Sequence, residues 1–160
     1  MKVVLQDIKK LETSALIVGF YNDVRPLKGL AGELDWLLCG ALSSLIIKRK
    51  LNGASGDMAL LTSQGKIPAS KIFMLGLGSR QALSSETLRK AAQTAATAAL
   101  GAGVTSAALE LFSSSRIPLE TTVTALRQGL ADGMGGRALD MVMLAPDAGS
   151  YEKISRFIKE

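Results

Sequence analysis

Short unbroken apolar runs alternate along this chain with longer stretches in which apolar residues recur every third or fourth position. The runs read as buried strands: Val3-Val4-Leu5, Ala15 to Phe20, Asp57 to Leu61, Ile72 to Leu77, Thr105 to Leu111 and Ala138 to Leu144. Ala15 to Phe20 is continuous enough to be covered on both faces, as strands of parallel sheets are. Between them the spacing predicts helices. One runs from about Leu30, with Leu34, Leu37, Leu38, Leu42, Leu45 and Ile46 on its inner stripe, and ends at Lys48-Arg49-Lys50. A second runs from Ser84 to about Ala102, capped by Ser84 or Ser85 with Glu86 in its first turn. Its inner face, Leu88, Ala91, Ala92, Ala95 and Ala99, is nearly all methyl groups, which lets a helix lie close to a sheet. A third starts at Pro118 and carries Val123, Leu126, Leu130 and Met134 to a stop at Gly133, Gly135 and Gly136. A short terminal helix shows Tyr151, Ile154 and Ile158 on one face.

This alternation predicts an α/β fold of three layers, a mostly parallel or mixed sheet flanked by helices. At 160 residues, with no repeat and no linker, the chain reads as a single domain, residues 1–160. The interior must be aliphatic, because aromatics are 4% of the chain.

Composition removes several chemistries. There is no histidine, so Ser/His and Cys/His nucleophilic systems are excluded. The single Cys39 allows no internal disulfide, and its place in an apolar helix predicts a buried, inert thiol. The net charge of +5 comes from scattered residues, and the one basic triplet sits where a helix dipole favours cations. No secretory leader is legible, and the apolar uncharged run Trp36 to Ile47 is too short to span a bilayer. A cytoplasmic protein without membrane partners is expected. Trp36 lies off the leucine stripe and reads either as a contact with a second helix or as a subunit interface.

Gly76-Leu77-Gly78-Ser79 links a strand to the capped helix, but Gln81 occupies the place of the third glycine in a dinucleotide fingerprint. The same stretch carries a family resemblance. Pro26 to Asp35, Asn52-Gly53-Ala54-Ser55-Gly56-Asp57, Leu75 to Ser79 and Leu88-Arg89-Lys90-Ala91-Ala92, in that order, resemble the N-terminal, non-catalytic domain of the leucyl (cytosol) aminopeptidases. The resemblance implies a macro-domain-like fold and, from the family's oligomeric habit, a likeness to assembly modules. The family's two-metal block Asn-Thr-Asp-Ala-Glu-Gly-Arg has no counterpart: Asp132 to Arg137 shares only its closing Gly-Arg.

The expected function is therefore that of a non-catalytic module, with no cofactor and no metal, associating with itself or with an aminopeptidase-type catalytic partner. A macro-like fold also implies a nucleotide binder. Asp7 resembles the adenine-contacting Asp of macro domains, Asn22 the final Asn of their Asn-Ala-Ala-Asn loop, and Gly29 and Gly32 their first glycine-rich loop. Gly76, Gly78 and Ser79, with Ser113, Ser114 and Ser115 in place of the second loop, complete the candidate ligand set. Nucleic-acid binding is a further alternative, implied by the DNA contacts of some bacterial relatives.

Overall fold

The computed structural model describes residues 1–112 and 114–159. Six strands form one mixed sheet in the order β1-β6-β5-β2-β4-β3. They are β1 (Lys2–Val4), β2 (Ala15–Phe20), β3 (Met58–Thr62), β4 (Lys71–Gly76), β5 (Ser106–Glu110) and β6 (Asp140–Leu144). Every neighbouring pair is parallel except β3 with β4.

Alternation along the strands divides the interior into two layers. Ala15 and Ile17 of β2, Phe73 and Leu75 of β4 and Leu109 of β5 pack under α3 (Ser85–Gly101), α4 (Leu119–Met134) and α5 (Ala148–Lys159). Leu16, Val18, Phe20, Ile72, Met74 and Ala108 face α1 (Gly29–Leu37) and α2 (Ala41–Ile47). Both faces of the sheet are covered, as the continuous apolar runs of β2 and β4 require.

The alanine face of α3 meets α4 at close range. Ala92 and Ala96 touch the positions where Gly129 and Gly133 lack side chains. At the start of α3 the Ser84 hydroxyl accepts the Thr87 N–H at 3.2 Å, satisfying one of the helix's orphan donors. Ser84→Ala removes that acceptor and is expected to cost about 1 kcal/mol, read as a lowered urea midpoint with unchanged slope.

One expected element is corrected. The helix from Leu30 to Lys48 is two helices, α1 and α2, bent by 104° at Leu38 to Gly40. Cys39 and Gly40 adopt positive φ of 55° and 82°, and the Asp35 carboxylate accepts the Ser43 N–H and hydroxyl. An apolar stripe of 3.6 periodicity continued across the break, so hydrophobicity alone concealed it. Cys39 consequently sits in the elbow and is exposed, not buried in a helix. Trp36 is 81% exposed, which removes the second-helix contact considered for it. Among the described residues no single helix is long and apolar enough to cross a membrane.

Candidate functional site

β2 is the strand at which the connections diverge. From its C-terminal end the chain leaves toward α1 on one face, while from β5 beside it the chain leaves toward α4 on the other. Loops on opposite faces cannot close the gap between such strands, so a crevice opens at their carboxyl ends. Here it is a cleft of about 750 Å³. Gly19 and Phe20 of β2, Glu110 of β5, Leu144 of β6 and the start of α1 form its sides. The volume falls within the range of small-molecule sites, roughly 300–1,000 Å³.

Glu110 is the polar group that the strand geometry delivers to this cleft. Leu109 before it points to the α3–α4 layer, so the next side chain leaves on the α1 side, at the last position of β5. Its carboxylate accepts the Gly19 N–H at 2.9 Å. Burial pushes the carboxyl up from an ordinary 4.5 to about 7, against the opposing effect of that hydrogen bond. The Tyr21 hydroxyl is raised as well, by burial first and the Glu110 charge second.

Gly19 matters sterically. A Cβ there would lie 2.7 Å from the Leu77 side chain and 2.8 Å from that of Phe112, so the glycine makes room for these two on the α3–α4 face of β2. The remaining charges lining the cleft are Asp7, Glu33, Lys28 and Arg80.

Of the sequence-derived candidates, the cleft takes in Asp7 and Gly29. Asn22, Gly32, Gly76, Gly78, Ser79, Ser114 and Ser115 lie outside its lining, and Ser113 falls outside the described residues. Several of these make backbone joints. Asn22 N–H donates to the Gly78 carbonyl at 3.0 Å, and Gly78 N–H to the Gly53 carbonyl at 2.8 Å. A Cβ on Gly76 would overlap the Ala54 carbonyl, and one on Gly32 the Leu27 carbonyl. Ser79 donates to the Asp23 carboxylate at 3.0 Å, and the Arg80 N–H joins it at 3.1 Å. These bonds hold Asp23 below the usual carboxylate range, the Arg80 N–H contributing most. Among the described residues, no group of three Asp, Glu or Cys side chains is placed to hold a metal ion.

Residues 17–134 match the N-terminal domain of the cytosol aminopeptidase family. The chain belongs to this family. A probable cytosol aminopeptidase of Geobacter sulfurreducens is 35% identical over 141 residues, an alignment covering 88% of this chain and 28% of the relative. The alignments with such curated relatives cover between 18% and 28% of the relatives' own length. Among solved structures, a tomato leucine aminopeptidase mutant superposes with a TM-score of 0.76 at 22% identity, over 99% of this chain and 34% of the other. A Trypanosoma brucei macrodomain in complex with ADP-ribose superposes with a TM-score of 0.74 at 15% identity, over 98% of this chain and 68% of the other. The macro-like fold expected from the sequence is therefore shown.

Two features of this aminopeptidase N-terminal domain escaped the sequence reading. Glu110 lies within the run Thr105 to Leu111, where only its parity with Ala108 and the neighbouring Phe112 hint at a side chain turned into the crevice. Arg80 follows the Gly76–Ser79 loop in the chain, and its arrival at the cleft depends on the 3₁₀ turn Arg80–Ala82.

Proposed function

We propose that this domain is a binding module that does not itself hydrolyse peptides, and that it works by association with copies of itself or with an aminopeptidase-type catalytic partner. The observation that carries this reading is the elbow of α1 and α2. Trp36 and Ile47 are 81% and 79% exposed there, the most exposed of the large apolar side chains. In a chain with a single tryptophan, leaving it in water has no benefit for the core. Tryptophan is enriched among residues that dominate binding energies at interfaces. The family match points the same way: it is to the N-terminal domain of the aminopeptidases, and two-metal hydrolysis needs converging carboxylates. With its family, the domain belongs in the cytoplasm.

Light scattering after size exclusion tests the association. The chain is expected to run above its monomer mass of 16.8 kDa at low and high salt alike. Trp36→Ala is expected to weaken assembly at least about tenfold. A monomer at all concentrations, with no gain on adding a catalytic aminopeptidase, removes the reading. So does robust turnover of a leucyl chromogenic substrate by the metal-supplemented chain.

A second reading, a macro-type site for ADP-ribose or a related nucleotide, is supported by the open cleft at the strand ends. If it holds, ADP-ribose raises the melting temperature in a concentration-dependent way. Nucleic-acid binding is the weakest of the alternatives. It predicts affinity that falls steeply with salt, and no basic cluster lines the cleft to favour it.

A further inference from the structure

The charges around the cleft do not suit a purely anionic guest. Three acidic side chains, Asp7, Glu33 and Glu110, share its lining with two cations, Lys28 and Arg80, and Asp7 already has Lys9 as a partner at 3.9 Å. A diphosphate bound here places its charge among those carboxylates, and like charges at short range oppose one another strongly where water is scarce. Neither Lys28 nor Arg80 forms an ion pair among the described residues. Glu110 has only the Gly19 N–H as partner for one of its two oxygens. Phe20, Leu77, Leu111 and Phe112 also line the cleft but are only 2–3% exposed, so the apolar surface open to a guest comes from the half-buried Val24, Leu27 and Leu30. The cleft therefore offers a hydrogen-bond acceptor for a cation, two cations elsewhere in its lining and some half-buried apolar surface.

We propose that the cleft is a receptor site for a small zwitterion, a free α-amino acid or a short peptide. The ammonium of the guest sits against the Glu110 carboxylate, its carboxylate reaches Lys28 or Arg80, and an apolar side chain lies on Val24, Leu27 and Leu30. The volume leaves room for more than one residue, which favours the peptide. This site is separate from the α1–α2 elbow, so it stands whether or not the domain self-associates.

Binding of an ammonium favours ionised Glu110, so affinity rises with pH through the range in which that carboxyl titrates. The other titratable and charged groups lining the cleft are Tyr21 after β2, Lys28 and Glu33 at the start of α1, Asp7 in the N-terminal loop and Arg80 after β4. The chain has no histidine to titrate in the same range.

Calorimetric titration of the full chain decides the matter, with L-leucine, L-leucylglycine, N-acetyl-L-leucine, L-leucinamide and ADP-ribose as probes at pH 6.0 and 7.5. L-leucine, L-leucylglycine or both are expected to bind, the peptide about fivefold tighter at pH 7.5 than at pH 6.0. N-acetyl-L-leucine, which lacks the ammonium, and L-leucinamide, which lacks the carboxylate, are expected to bind at least about tenfold more weakly. Glu110→Gln is expected to abolish the pH dependence and lower affinity about tenfold, while Lys28→Ala and Arg80→Ala together lower it for leucylglycine but not for leucinamide. The relative strength of leucine and leucylglycine tells the amino acid from the peptide. Equal binding of the acetylated probe, pH-independent affinity, silence of both zwitterions to millimolar concentration, or a response to ADP-ribose alone each overturns the proposal.

Discussion

Gly129→Ala lowers the stability of this domain by about 3 kcal/mol, and Gly129→Val by more, although both are better than glycine at holding an isolated helix. The sign is the point of the experiment. Alanine in a helix interior gains roughly 1 kcal/mol over glycine from propensity alone. At position 129 its methyl group would overlap the Arg89 carbonyl and approach the Ala92 methyl to 2.8 Å. The Arg89 carbonyl belongs to the backbone of α3 and cannot rotate away, so one helix must move. Gly133 repeats the arrangement one turn later, against the Gln93 carbonyl and Ala96. Moving α4 outward also loosens Val123, Leu126 and Leu130, all buried under it. Thermal melts of the two single variants and the Gly129→Ala/Gly133→Ala pair measure the cost. A neutral or stabilising Gly129→Ala shows that the helices can separate freely, and the close crossing is then no determinant of stability.

That crossing also explains what could be read from the sequence and what could not. The alanine face of α3 announced a helix lying close to something, and the sheet was the natural candidate. The closest approach is in fact to α4, because its glycines stand at 129 and 133, four residues apart on the face opposed to Ala92 and Ala96. Spacing of glycines within a helix is a weak signal until the partner helix is known. Strand identities were legible because β2, β4 and β5 are covered on both faces and so carry unbroken apolar runs. The α1–α2 break was not, since its cause is two residues of positive φ and a carboxylate cap, none of which disturbs hydrophobic periodicity. The site fared similarly. Asp7 and Gly29 reach the cleft, whereas the Gly76–Ser79 loop is braced against residues 53–57 and Asp23. Glycines that permit close backbone approach look the same in a sequence whether the neighbour is a phosphate or another loop.

Glu110→Gln makes the domain more stable at pH 8 and leaves it nearly unchanged at pH 4.5. The carboxyl is held at about 7 in the folded chain against an ordinary 4.5, so the native state keeps its proton where the unfolded chain has lost it. The stabilisation associated with the neutral form is therefore complete below about pH 4.5 and is lost as pH rises through 7. Above that, the folded protein carries a charge that burial disfavours, at a cost of up to about 3 kcal/mol. The amide of glutamine can still accept the Gly19 N–H without that charge. For a domain of this length each kcal/mol moves the melting temperature by roughly 2–4 °C, so the variant is expected to melt roughly 6–12 °C higher at pH 8. Melts of both proteins at half-unit steps from pH 4.5 to 8 should converge at the acid end and separate toward the alkaline end. Parallel curves over the whole range show that Glu110 is solvated and ordinary. A carboxylate that weakens the fold at neutral pH, at the open end of a sheet and beside a glycine that has no room for a side chain, is a residue whose reason for being there must be sought in what the cleft receives.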